Sequence, residues 1–148
     1  MEDLKSKMQM VYYVSNGFML SIALLLLIFE TPEGFLHYSP GKWLDFTIVI
    51  TAFISGIVFP ILGRKIWLYF FNDPNKWSLE TVATGYEIAI VMASWITVSL
   101  ALLAFLYQTA MFARIWSTVF AVFALIACYP SQKRIDKGYE HFRLYNFS

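Results

Sequence analysis

Three ionisable side chains stand inside or at the edges of long apolar stretches, and they belong to Asp45, Glu87 and Arg114. Ionisable groups at membrane depth are costly, so they pair with one another or mark a pathway for ions or protons. Glu87 is therefore the candidate for coupling transport to proton or ion movement. The structural alternative pairs Asp45 with Arg114 and Glu87 with Arg64. Asn16 adds an amide within the first apolar stretch, for which hydrogen bonding between helices is the expected role.

The remaining residue types argue against a hydrolase or a metal centre. The two histidines, His37 and His141, fall on opposite sides of the membrane in the topology that the sequence predicts. The chain has no HExxH, GxSxG or nucleotide-binding glycine motif. Its single cysteine, Cys128, leaves no pair for a disulfide or a CxxC centre. We expect a non-enzymatic protein without a cofactor or metal, although a lipid-modifying enzyme at the interface is less strongly disfavoured.

Composition places the chain in lipid. Of its 148 residues 59% are hydrophobic and 14% are charged, whereas an average soluble domain has roughly 25% charged residues. The net charge of +1 provides no basic stripe of the kind that binds nucleic acid. The expected partners are the lipid bilayer and either another protein or further copies of the same chain.

Four apolar stretches are long enough to cross a bilayer, whose hydrocarbon core of ~30 Å takes about 20 helical residues. A helix that continued through the third and fourth stretches would be ~70 Å long, so a break near Gln108 is required. A cleaved signal peptide is the alternative for the first stretch, and the acidic residues Glu2 and Asp3 disfavour it. The predicted spans are residues 8–29, 44–66, 83–107 and 110–131, followed by an amphipathic tail over 132–148.

The sequence thus predicts an all-α polytopic membrane protein with a single domain over 1–148. The expected architecture is an antiparallel bundle of four transmembrane helices, with short interfacial helices after the second and fourth spans. Small residues recur at helical spacing in the last two spans and predict a closely packed hairpin. The candidates for helix packing are Gly85, Ala89, Ala93, Ser117 and Ala121.

The second span carries two further candidate features. Pro60 cannot donate to the helical ladder, so it predicts a bend that acts as a hinge or as a fixed packing feature. Thr47, Thr51 and Ser55 share one helix face and form the candidate lining of a transport path.

The distribution of positive charge predicts the orientation. With four spans, the side that holds both termini also carries nine of the eleven basic residues, against Lys42 and Arg114 on the other side. Cytoplasmic loops carry the excess of Lys and Arg, so both termini are expected in the cytoplasm. The nine are Lys5, Lys7, Arg64, Lys65, Lys76, Lys133, Arg134, Lys137 and Arg143.

These features favour a small protein of the bacterial inner membrane that serves as an accessory or scaffold subunit through helix packing. A small oligomeric transporter or channel, with Glu87 and the Thr47, Thr51 and Ser55 face along its path, is the alternative from another class. An immunity-type membrane protein is a third hypothesis, which size and topology permit and no residue supports.

Overall fold

A computed structural model describes the chain over residues 2–28, 42–71, 73, 75–107 and 109–146. Within these ranges all regular structure is helical, which confirms the all-α prediction. His37 and Gln108 lie outside the described ranges. The elements are α1 (Glu2–Ile28), α2 (Lys42–Phe53), a π-helical turn (Ile54–Val58), α3 (Phe59–Phe70), α4 (Leu79–Leu106), α5 (Met111–Ala127) and α6 (Gln132–Asn146).

Three helical segments are long and apolar enough to cross a membrane, namely Lys5–Leu25 in α1, Lys42–Phe70, and α4. Helix α5 has 17 residues and is joined to α6 through a bend of 79°. If this bent pair forms one span, the number of candidate spans is four. The helical composition and these lengths are those of an integral membrane protein.

Helix α4 is the central helix, because α1, α2, the π-helical turn, α3, α5 and α6 all contact it. Its contact with α5 is the most extensive in the fold. Helix α4 ends at Leu106 and α5 begins at Met111, which confirms the predicted break in the helix near Gln108. At the other end of α4, the Ser78 hydroxyl accepts a hydrogen bond from the Thr81 N–H and caps the helix.

Helices α2 and α3 form one long rod that runs antiparallel to α4. Pro60 lacks an N–H, and its ring would clash with the carbonyl of Gly56 in a regular α-helix. The rod accommodates Pro60 by widening into the π-helical turn, in which the Phe59 N–H bonds to the Ile54 carbonyl. A Cβ on Gly56 would lie 3.0 Å from the Phe120 carbonyl oxygen. The π-helical turn is therefore closely packed against α5 at Gly56.

Among the described residues between Phe70 and Leu79 there is no separate helix, so the predicted interfacial helix after the second apolar stretch is not found there. Residues 66–70 continue α3 to Phe70. This last part of α3 packs against the bundle. Leu68 is buried, and the Trp67 Nε1–H donates to the Val82 carbonyl of α4 at 2.9 Å. Trp67 thus ties the end of α3 to α4, whereas Tyr69 and Phe70 are exposed.

The fourth stretch is followed by a separate amphipathic helix, as predicted. Pro130 lies in the bend between α5 and α6, where its missing N–H disfavours a continuous helix. Ser131 then caps α6, since its hydroxyl accepts a hydrogen bond from the Arg134 N–H at 3.2 Å. Helix α6 lies against α4 and touches α1. We call this end of the bundle the α6 end.

Candidate functional site

A buried ion pair joins α4 to α6. The Nη2 atom of Arg134 lies 2.7 Å from the Oε2 atom of Glu87. The Glu87 side chain is 1% exposed and that of Arg134 is 16% exposed. Breaking such a pair leaves an uncompensated buried charge, so each partner depends on the other.

Helix α6 also covers the second oxygen of the Glu87 carboxylate. A Cβ on Gly138 would lie 3.3 Å from Glu87 Oε1, so only a glycine lets the α6 backbone come this close without displacing the carboxylate. The Nε–H of Arg134 donates to the Tyr129 carbonyl at 2.9 Å. The guanidinium is thus held between the end of α5 and the carboxylate on α4.

The partner of Glu87 differs from the one that the sequence predicted. Arg64 acts on Glu87 only as a further positive charge on α3, and the contact is made by Arg134. Helical spacing could not reveal this pair, because the sharp bend after α5 carries Arg134 back over α4. The glycine at 138 in an otherwise charged amphipathic helix was the available sequence signal.

A buried cluster of side chains from α3, α4, Cys128 and α6 packs at the same end of the bundle, and we call it the α6-end core. The rings of Tyr86 and Phe142 stand 5.3 Å apart between their centroids, and the hydroxyls of Thr84 and Tyr139 are 3.2 Å apart. The members of the α6-end core are Leu68, Val82, Ala83, Tyr86, Ile90, Cys128 and Phe142.

Asp45 and Arg114 do not form the predicted pair. The Oδ1 atom of Asp45 accepts a hydrogen bond from the Ala110 N–H at 3.1 Å, so the carboxylate caps the start of α5. The Arg114 Nε–H donates to the Thr109 carbonyl at 2.9 Å. Both side chains satisfy backbone groups at the α4–α5 turn, a role that the charge pattern alone did not indicate.

Asn16 provides a second polar contact inside the bundle. It is 3% exposed, and its Nδ2 atom donates to the Ser94 hydroxyl at 3.2 Å and to the Tyr12 carbonyl at 3.1 Å. The Ser94 hydroxyl in turn donates to the Val91 carbonyl. This places Asn16 between α1 and α4, as a link between helices.

The candidate transport face of the second stretch is divided between two environments. Thr47 and Thr51 are exposed on the outside of the single chain, and the Thr47 hydroxyl donates to the Trp43 carbonyl. Ser55 points inward, and its hydroxyl lies 2.7 Å from that of Thr97 on α4. The three residues therefore do not line one internal path with Glu87.

The small residues lie where helices approach closely. Ala93, Ser117 and Ala121 are buried, and Gly85 and Ala89 are half-buried. A Cβ on Gly85 would lie 3.0 Å from the Trp67 ring, so this glycine accommodates α3. Pro60 is also half-buried, and it lies in the first turn of α3, directly after the π-helical turn.

Within the described part of the chain, no group of three or more His, Cys, Asp or Glu side chains is placed to hold a metal ion. Comparison of the sequence with protein-family models and curated proteins, and of the structure with solved structures, finds no match. The geometry of the site is therefore the basis for a functional hypothesis.

Proposed function

We propose that the protein is a non-enzymatic integral membrane protein that acts as an accessory or scaffold subunit. In this proposal four spans form an antiparallel bundle, and the bundle holds α6 as a rigid platform at the membrane surface. The platform is the surface that a partner would contact.

The Glu87–Arg134 pair is the observation that carries the proposal. A residue that couples transport must exchange protons or ions with water. Glu87 instead has one oxygen against Arg134 and the other beneath the backbone of Gly138. Its carboxylate holds α6 against α4, which is a structural role.

The outer face of α6 is charged and open. Its exposed ionisable residues carry both signs, and with Arg134 held inward they give the platform a net positive charge of +1. Mixed charge of this kind suits contact with a folded partner, because charge complementarity sets specificity and orientation. The exposed ionisable residues are Lys133, Asp136, Lys137, Glu140 and Arg143.

Charge distribution supports a cytoplasmic position for this platform. Arg64 and Lys65 on α3 lie close enough to His141 of α6 to act on it electrostatically. The basic residues of α3 and α6 therefore gather at one end of the bundle, where Lys5 of α1 also lies near Gln132. Positive charge is retained on the cytoplasmic side of a bacterial inner membrane, so we place the α6 end and both termini there.

Native-membrane extraction in a mild detergent tests the proposal. We expect the wild-type chain to migrate in a complex with a partner in fixed stoichiometry. Charge reversal of the platform (Lys133→Glu, Lys137→Glu and Arg143→Glu together) should release the chain while leaving its unfolding temperature unchanged. Lys76→Glu, an exposed reversal outside α6, is the matched control and should keep the complex.

Two results would contradict the proposal. One is a wild-type chain that is extracted alone or only with copies of itself. The other is loss of ion or proton movement in proteoliposomes when Glu87→Gln replaces the carboxylate, since that outcome would favour the transporter.

A further inference from the structure

Helix α1 contacts the bundle in two places, along α4 and at the connection between α5 and α6. We call residues 125–131 the corner, because the chain turns by 79° between α5 and α6. The last backbone hydrogen bond at the end of α5 joins the Cys128 N–H to the Ala124 carbonyl at 2.8 Å. The carbonyls of Leu125 and Pro130 lie beyond this ladder, so their hydrogen bonds must come from other donors.

Side chains of α1 supply these donors. The Tyr12 hydroxyl donates to the Leu125 carbonyl at 2.5 Å. One turn earlier, the Gln9 Nε2–H donates to the Pro130 carbonyl at 3.3 Å. Gln9 and Tyr12 are three residues apart, so they lie on the same face of α1. That face therefore binds the backbone of the corner at both of its ends.

Packing contacts accompany these hydrogen bonds. The ring of Tyr129 stands edge-on to those of Tyr12 and Tyr13, with centroids 5.3 Å and 5.9 Å away, and the hydroxyls of Tyr13 and Tyr129 are 2.8 Å apart. Met8 and Tyr12 are buried together with Val91 of α4, and Tyr129 packs against this group. The first half of α1 thus packs on α4 and on the corner at the same time.

The corner leads directly to the ion pair described above. The Tyr129 carbonyl accepts the hydrogen bond from the Arg134 Nε–H at 2.9 Å, and the Nη2 atom of the same guanidinium lies 2.7 Å from the Glu87 carboxylate. A displacement of Tyr129 would therefore displace the side chain that holds α6 on α4.

We propose that α1 controls the position of α6 through the corner, with Gln9 and Tyr12 as the positioning residues. Helix α6 then has two supports, which are the Glu87–Arg134 pair on α4 and the donors of α1 at the corner. The consequence for partner binding rests on the proposed function, in which α6 is the platform that a partner contacts. Release of the corner from α1 loosens α6 and so weakens that platform, while α4 keeps its place.

Hydrogen exchange of the full chain in nanodiscs tests this role, because it reports each helix separately. Tyr12→Phe keeps the ring and removes the hydroxyl donor, and Gln9→Met removes the amide donor at a similar side-chain length. We expect each substitution to raise the exchange of the α6 amides about threefold, the effect of one typical hydrogen bond between membrane helices. The double variant should raise it further. The amides of α4 should stay as protected as in the wild-type chain, which a general loss of stability would not allow.

Matched variants remove similar groups away from the corner. Tyr69→Phe removes the hydroxyl of an exposed tyrosine on α3. Ser21→Ala removes a hydroxyl whose hydrogen bond lies within α1, to the Gly17 carbonyl. Both variants should exchange like the wild-type chain. Gln9→Lys keeps a donor at this position and should preserve the protection of α6 that Gln9→Met loses.

Three outcomes would overturn the proposal. The first is wild-type exchange of α6 in the double variant of Gln9 and Tyr12. The second is an equal rise in the exchange of α4 and α6, which would indicate a general loss of stability. The third is the same rise in Ser21→Ala as in Tyr12→Phe. Each of these leaves the platform function of α6 intact, because complex formation tests that function. Conversely, a wild-type chain without a partner would leave the control of α6 by α1 unaffected.

Discussion

The Glu87 carboxylate on α4 and the Arg134 guanidinium on α6 meet at 2.7 Å, across a bend of 79° between α5 and α6. The contact attaches α6 to α4, the central helix of the bundle. Gly138 lies over the same carboxylate, so charge and close packing act at one point. The position of α6 therefore depends on three residues whose loss can be measured separately.

Substitution of one partner of the ion pair should destabilise the protein more than substitution of both. We expect Glu87→Gln or Arg134→Met to lower the free energy of unfolding by about 3–5 kcal/mol, the usual cost of breaking a buried pair. The double variant should recover most of this loss, because it leaves no unpaired charge. Equilibrium unfolding in detergent measures the coupling as a double-mutant cycle.

Glu80→Gln is the control for that cycle. Glu80 lies in the exposed first turn of α4, where its contribution through the helix dipole is less than about 1 kcal/mol. If the two single substitutions in the ion pair were simply additive, Glu87 and Arg134 would not be energetically coupled, and our interpretation of the contact would be wrong.

Alanine substitution should have different effects at two helical glycines. No atom lies within 4 Å of the Cβ position at Gly17, whereas that at Gly138 lies 3.3 Å from Glu87 Oε1. Gly17→Ala should stabilise the protein by about 0.5–1 kcal/mol, the helical preference of alanine over glycine. At Gly138 the crowded carboxylate should offset this gain, and Gly138→Val should cost about 1–3 kcal/mol. Thermal unfolding of the three variants tests the comparison, and a Gly138→Val variant as stable as wild type would argue against close α6 packing.

The hydrogen bond between Ser55 and Thr97 should contribute modestly to the packing of the π-helical turn on α4. Their hydroxyl oxygens are 2.7 Å apart. In the cycle of Ser55→Ala and Thr97→Val we expect a coupling of about 0.6 kcal/mol, typical of such bonds between membrane helices. Ser99 bonds only within its own helix, to the Trp95 carbonyl, so Ser99→Ala cycled with Ser55→Ala should show no coupling. Equal coupling in both cycles would refute a specific bond.

Asp45 should stabilise α5 as a cap rather than as the partner of Arg114. Asp45→Ala should cost about 0.5–2 kcal/mol, the usual effect of losing a helix cap, while Asp45→Asn keeps an acceptor oxygen and should cost less. Because Arg114 bonds to the Thr109 carbonyl, Asp45→Asn and Arg114→Gln should be additive within about 0.5 kcal/mol. Chemical denaturation of the two single variants and the double variant checks this, and strong coupling would restore the ion pair that the sequence suggested.

The helical class could be predicted from sequence because it follows from local features. Apolar length set the approximate helix positions, and geometry required a break near Gln108. The apolar surroundings of Asn16 and Glu87 also singled them out as polar residues at membrane depth. Each of these inferences depends on residues that are neighbours along the chain.

The partners of the charged residues could not be predicted in this way. Arg134 reaches Glu87 because α6 turns back after Pro130, with Ile135 and Phe142 of α6 fully buried. Asp45 had an apparent partner in Arg114, but its carboxylate instead satisfies a backbone N–H that the sequence pattern does not display. Which group a charged side chain pairs with depends on distances in the folded structure, and residue spacing and charge pattern do not determine those distances.

Hydrogen exchange of the α6 backbone in lipid nanodiscs tests the central claim most directly. If Glu87 serves to hold α6 on α4, the amides of α6 are protected in the wild-type chain, and Glu87→Gln raises their exchange at least tenfold while the amides of α4 and α5 stay protected. Exchange of α6 that is equally slow in both proteins would contradict the account, because Glu87 would then be free for another role.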